Sequence, residues 1–176
     1  SKPWPEQPLT LDGTTYAASH FDELSRVITT VSTSGNVRRW DHHGALLAEF
    51  STPQDVGSAV FAPSGDRAAT VHEDDVYVWR TSDGAILYTL AGTGAYWTAT
   101  NSEYPEPVLV VSHNVLNDAR QQNIDVRTHT ADGALIREFP GAFYWLNNQH
   151  AYAHRVAASP GAEHVYVHLD YSNQIR

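Results

Sequence analysis

Asn36-Val37-Arg38-Arg39-Trp40-Asp41-His42-His43-Gly44-Ala45-Leu46-Leu47 returns as Asp75-Val76-Tyr77-Val78-Trp79-Arg80-Thr81-Ser82-Asp83-Gly84-Ala85-Ile86-Leu87, with the two tryptophans 39 residues apart. A third, more degraded copy runs Asn123-Ile124-Asp125-Val126-Arg127-Thr128-His129-Thr130-Ala131-Asp132-Gly133-Ala134-Leu135-Ile136. Each copy alternates, then makes a polar turn ending at Gly44, Gly84 or Gly133, then continues in apolar residues. Alternation at period two is the signature of a strand with two distinct faces. A tight Gly-containing turn folds the next strand back antiparallel on the first. Matched along the sequence, the third copy carries Arg127 where the others carry Trp.

The spacing of Trp40 and Trp79 is close to the roughly 40–45 residues of one four-stranded propeller blade. The first unit covers 14–53. Tyr16 to His20 reads as its inner strand and the β-branched run Arg26 to Ser32 as its second. Ser34-Gly35 turns the chain into the third strand at Val37 to Trp40, and Ala45 to Phe50 is the outer strand. The second unit, 54–93, repeats this with Ser58 to Phe61, Ala68 to His72, Val76 to Trp79 and Ala85 to Leu90. Its first turn, Ala62-Pro63-Ser64-Gly65-Asp66, uses Pro and Gly as tight turns require. The third unit, 94–141, is longer. It carries Glu103-Tyr104-Pro105-Glu106-Pro107 and the polar stretch Asn114 to Asn123, which is expected to lengthen a turn. Extra length on one rim is where propellers place contacts.

Residues 142–176 read as a partial fourth unit. Tyr152 to Ala158 followed by Ser159-Pro160-Gly161-Ala162 mirrors Val60 to Asp66, and His164 to Leu169 is a second strand with no third behind it. Residues 1–13 hold a short outer strand, Pro8-Leu9-Thr10-Leu11, closed by Asp12-Gly13. No helical periodicity of useful length occurs. The expected fold is all-β: a β-propeller segment of four-stranded antiparallel blades, three full and a partial fourth.

These units resemble WD40-type propeller repeats. Phe61-Ala62-Pro63-Ser64-Gly65-Asp66 is similar to that family's inner-strand-and-turn phrase. Val76-x-Val78-Trp79 and Val37-x-Arg39-Trp40-Asp41 are similar to its third-strand ending. The Gly-His pair that usually opens a repeat is missing, and Ser34 and Glu73 stand where Asp is usual. The resemblance implies a rigid interaction platform, which is an analogy of fold and not of site.

Composition bounds the rest. The formal net charge is −9, with 11 Lys and Arg scattered along the chain and Arg38-Arg39 the only adjacent pair. Nucleic acid and anionic membranes need concentrated positive charge, so neither is expected as a partner. No apolar run approaches the roughly 20 residues of a membrane span. With no Cys, disulfides, thiolate metal sites and Cys nucleophiles are excluded. With no Met, Ser1 reads as following initiator removal or processing. Cytoplasm is favoured over secretion after processing.

Chemistry-bearing clusters are few. His164, Tyr166, His168 and Asp170 alternate along one strand face. The two His are then roughly 14 Å apart, too far to share one small ion, so no metal is expected there. His42-His43 could sense pH and Glu73-Asp74-Asp75 could attract Ca²⁺, but both read as solvated turns. No Gly-x-Ser-x-Gly elbow occurs, and Ser19-His20 and Ser112-His113 point to opposite faces. Catalysis and a cofactor are therefore not expected. Aromatics cluster late, mostly as core; Tyr104, Tyr144 and Trp145, with Asn147 and Asn148, are the expected partner-binding residues. Trp40, Trp79, Gly44, Gly84 and Gly133 are the expected structural ones. The expected function is a non-catalytic platform completed by further chain, a second subunit or a protein partner. The alternative is a carbohydrate-binding or hydrolytic segment of the lactonase or glycosidase kind.

Overall fold

The β-branched run Val27–Ser32 forms a strand covered on both faces, with Val31 fully buried and Thr30 nearly so. In the computed structural model, which describes residues 15–52, 56–116, 122–144 and 151–171, this strand is the second of a four-stranded meander. The meander runs β1 (Tyr16–Asp22), β2 (Val27–Ser32), β3 (Asn36–Asp41), β4 (Leu46–Ser51), each antiparallel to the last. A second follows as β5 (Ser58–Phe61), β6 (Arg67–His72), β7 (Asp75–Arg80), β8 (Ile86–Ala91). A third comprises β9 (Gly94–Trp97), β10 (Leu109–Leu116), β11 (Gln122–His129), β12 (Leu135–Tyr144). The hairpin β13 (Ala151–Ala158) and β14 (Val165–Tyr171) makes a fourth sheet, its link holding one 3-10 turn at Pro160–Ala162. The chain is all-β, in four-stranded antiparallel blades.

The core lies between sheets. Val31, Val37, Val56, Ala68 and Trp79 pack together where the first and second sheets meet. Val76, Val78, Trp97, Leu109 and Val111 do so between the second and third. Val108, Val110, Ile124 and Val126 meet Ala162 and Val165 of the fourth. Strands in the middle of each blade are thus apolar on both faces. Outer strands β4 and β8 alternate between exposed and half-buried residues. Each blade buries its faces only against its neighbours, as in repeat proteins.

Strand register corrects one reading of the sequence. A β-bulge falls between Arg39 and Trp40, between Val78 and Trp79, and between Thr128 and His129. Trp40 pairs with Leu46, Trp79 with Ile86 and His129 with Leu135, each the first residue of an outer strand. His129, not Arg127, therefore occupies the tryptophan position, and it is buried there. Arg127 is instead the counterpart of Arg38: Arg38 pairs Glu49 at 2.8 Å and Arg127 pairs Glu138 at 2.7 Å, each across the third and outer strands. Matching from the start of the strand erred by two because β11 begins farther ahead of this position than β3 does; His129 precedes Gly133 by four residues, as Trp40 precedes Gly44.

The stretch Asn114 to Asn123 is a second correction. Pairing of β10 with β11 continues without a break from Leu109↔His129 to Leu116↔Gln122. Much of the extra length therefore extends a hairpin ladder, with residues 117–121 outside the described residues.

Candidate partner-binding rim

The antiparallel order of each blade sends alternate links to opposite rims. One rim gathers the β1–β2, β5–β6, β9–β10 and β13–β14 links with the β3–β4, β7–β8 and β11–β12 turns. The other gathers the β2–β3, β6–β7 and β10–β11 turns. The two lengthened segments of the third blade, around Glu103 to Pro107 and Asn114 to Asn123, consequently lie on opposite rims and do not form one surface.

On the first rim, the β9–β10 link spans eleven residues, 98–108, against four (23–26) and five (62–66) in the first two blades. The long link is pinned at its ends and from Asn101 to Tyr104. The Asn101 side-chain oxygen accepts the backbone N–H groups of Glu103 at 3.0 Å and Tyr104 at 2.7 Å. Asn101 N–H donates to the Tyr104 carbonyl at 3.0 Å, closing a turn. The Thr98 hydroxyl oxygen accepts Val108 N–H at 2.9 Å. Tyr104 donates its phenol to the Glu163 carboxylate at 2.7 Å, across to the fourth sheet. Its ring covers Gly161, at φ 71°, where any Cβ would overlap the ring. The Glu163 carboxylate accepting its proton pushes the Tyr104 phenol up to about 12. Tyr104 is thus a clasp between blades as well as a rim residue.

Three of the rim's turns each hold one aspartate below its ordinary range. Asp22 is held below its ordinary value by the Ser25 hydroxyl, Asp41 by the Ala45 backbone N–H, and Asp132 by the Thr130 hydroxyl. The His42 and His43 rings lie tilted at 42° to one another, centroids 3.8 Å apart, in the same turn as Asp41. All six large aliphatic side chains that stand exposed among the described residues lie toward this rim: Leu24 in the β1–β2 turn, and Leu46, Leu47, Ile86, Leu135 and Ile136 opening the outer strands. The opposite rim presents Thr33, Ser34, Glu73 and Asp74 as exposed polar turns.

Tyr144 closes β12, while Trp145, Asn147 and Asn148 lie outside the described residues. His164 is exposed in the bend before β14, tied by its backbone N–H to the Ser159 hydroxyl at 3.0 Å. His168 and Asp170 follow in β14, in register with Arg155 and Tyr152. Among the described residues no group of three His, Asp or Glu side chains could hold a metal ion. Sequence reasoning missed the aliphatic pairs behind each Gly-Ala step. Their signal was the apolar residue that opens each outer strand; its exposure is a tertiary property.

Among solved structures, the C-terminal WD40 domain of Sif2 superposes with a TM-score of 0.57 at 14% identity, over 94% of this chain and 45% of that one. The WD40 repeats of RRP9 superpose with a TM-score of 0.50 at 11% identity, over 76% of this chain and 41% of that one. The chain folds as WD40-like propeller blades. It spans less than half of each of these propellers. The U3 small nucleolar RNA-associated protein 21 homolog of Schizosaccharomyces pombe is 42% identical over 57 residues, 32% of this chain and 6% of that protein. No family model matches the sequence. Within these WD40-like blades the side-chain links differ from one to the next: Trp40 donates Nε1–H to the Thr30 hydroxyl at 3.1 Å, and a His72 ring nitrogen meets the Thr70 hydroxyl at 3.0 Å.

Proposed function

We propose that the chain is a non-catalytic interaction platform, one arc of a larger propeller, and that it meets its partner through the first rim. The units 14–53, 54–93, 94–141 and 142–176 act in this reading as three blades and part of a fourth; the segment 1–13, expected to hold an outer strand, lies outside the described residues. Protein binding is the typical role of WD40 propellers. The observation that carries the reading is the segregation of exposed aliphatic side chains to one rim, since apolar surface collected on one side of a protein marks a contact face.

The named relative is RNA-associated. In this chain Arg38, Arg67, Arg80 and Arg127 each sit against one of its own carboxylates, at 2.8, 3.4, 2.7 and 2.7 Å. That pairing and the charge of −9 weigh against binding a phosphate backbone. Any link to a nucleoprotein assembly is accordingly proposed to run through protein. The carbohydrate reading has no observation in its favour among the described residues.

The test is affinity capture with two sets of variants. Leu24→Ser, Leu47→Ser and Ile136→Ser should lose a partner that the parent retains, with an unchanged melting temperature. Substitutions at Ser34 and Glu73 on the other rim should retain it. Equal retention by both sets overturns the assignment of the rim.

A further inference from the structure

Between the second and third blades the first rim opens into a cleft of about 360 Å³, lined by Pro63, Asp66 and Arg67 on one side, Pro105, Glu106 and Pro107 on the other, and Ala131. We propose that this cleft receives a lysine or arginine side chain from an extended segment of a protein partner. The proposal rests on the platform reading and names the partner's chemistry.

The cleft exists because the 98–108 link is long and rigid. Tyr104 ties that link to the fourth sheet, which leaves Pro105-Glu106-Pro107 facing the second blade. The opposite wall is held as firmly. Arg67 donates Nη1–H to the Ala131 carbonyl and sets Nε against Asp66 at 3.4 Å, and the Tyr88 phenol reaches the same carbonyl at 3.1 Å. Three prolines give walls of fixed shape that lack N–H groups. Such walls suit the methylene stem of a long cationic side chain, which packs along apolar surface while its head remains polar. The volume falls in the range of sites that enclose a side chain or small ligand.

The charge selects a cation. Two carboxylates line the cleft, Asp66 and Glu106, against the single cation Arg67. Arg67 is engaged by Asp66 and by a backbone carbonyl. Glu106 has no hydrogen-bond or ion-pair partner among the described residues, so the surplus negative charge lies at the Pro105–Pro107 wall. An anion would meet repulsion from the Glu106 wall. A chain-borne cation is favoured over a free one because the cleft opens on the rim that carries the exposed aliphatic side chains. A segment lying there covers apolar surface while its cation enters.

The test uses the ¹⁵N-labelled chain and three probes: the pentapeptide acetyl-Gly-Gly-Arg-Gly-Gly-amide, the same peptide with citrulline for arginine, and free argininamide. The arginine peptide should shift the amide signals of Ser64, Thr100 and Ala131 and leave those of Ser34 and Glu73 in place. Citrulline, or Glu106→Gln in the protein, should weaken binding about tenfold, the effect of one charge-assisted hydrogen bond at a partly exposed site. Glu106→Gln alters an exposed side chain and should melt with the parent. Equal binding of the citrulline peptide, or no shift at Thr100 and Ala131, overturns the proposal. Argininamide binding as tightly as the peptide overturns its protein-borne part. If the cleft fails while the Leu24, Leu47 and Ile136 variants still lose a partner, the platform reading stands without it.

Discussion

Phe50 and Trp79 meet edge to face across the first blade interface, with ring centroids 5.6 Å apart and planes at 77°. Phe50 comes from an outer strand and Trp79 from the third strand of the next blade, so the contact joins two repeats. Phe61 approaches Trp79 from the inner strand of the second blade at 6.3 Å and 74°. Trp79 is fully buried within this aromatic group.

Trp79→Ala should therefore cost about 3–5 kcal/mol, the usual loss for an aromatic removed from a core that cannot collapse. Urea unfolding, or the fraction of protein recovered in soluble form, measures it. A variant that melts within a few degrees of the parent would show that this interface does not hold the blades together.

Gly84 lies directly under Phe50 at φ 74°, and a Cβ there would overlap the ring. Gly84→Ala should lose roughly 1–2 kcal/mol from the left-handed backbone alone, with steric cost added. Adding Phe50→Ala should relieve only the steric part, so the two losses should not sum in a double-mutant cycle. Simple additivity in denaturant titrations would rule out the contact.

The Tyr104–Glu163 bond makes an alkaline prediction. The phenol's value in the fold, about 12, lies above the ordinary 10. The proton is held more tightly in the folded state, so the stabilisation is complete below pH 10 and is lost as pH rises from 10 through about 12. Tyr104→Phe should flatten that decline in melting temperature and remove one late-titrating phenol from the ultraviolet titration. An unchanged profile would mean the clasp is not formed in solution.

His129 acts on the acid side. Burial disfavours its imidazolium and holds it below the ordinary 6.5, opposed by its contact with the Gly133 carbonyl at 3.1 Å. The unfolded chain then binds the proton more readily, so the stabilisation is present above pH 6.5 and is lost as pH falls below it. His129→Phe should reduce the slope of melting temperature against pH in that range. The His129 signals in NMR should titrate below the ordinary 6.5; if they do not, His129 is not buried as described.

The proposal of a larger propeller predicts association. Blades bury their faces only against neighbours, and open arcs leave sheet faces and edges exposed. Sedimentation at micromolar concentration should show a second copy or a partner chain, and a stable, well-behaved monomer would count decisively against it.

Two tryptophans at one spacing, a Gly-ended turn in three copies and short β-branched runs were enough to read four-stranded antiparallel blades from the chain alone. They sufficed because blade structure is local: each turn joins strands that are adjacent in sequence, and alternation assigns their faces. What only the tertiary structure decided depends on register and on neighbouring blades. A bulge placed His129, not Arg127, beside Leu135. Strand order put the two long segments of the third blade on opposite rims. Tyr104, legible as an aromatic in a proline-rich loop, found Glu163 59 residues away. The aliphatic pairs that open the outer strands are apolar in any reading of the sequence. The exposure of Leu46, Leu47, Ile86, Leu135 and Ile136 follows from lying at the edge of a sheet, where no further strand among the described residues pairs with theirs.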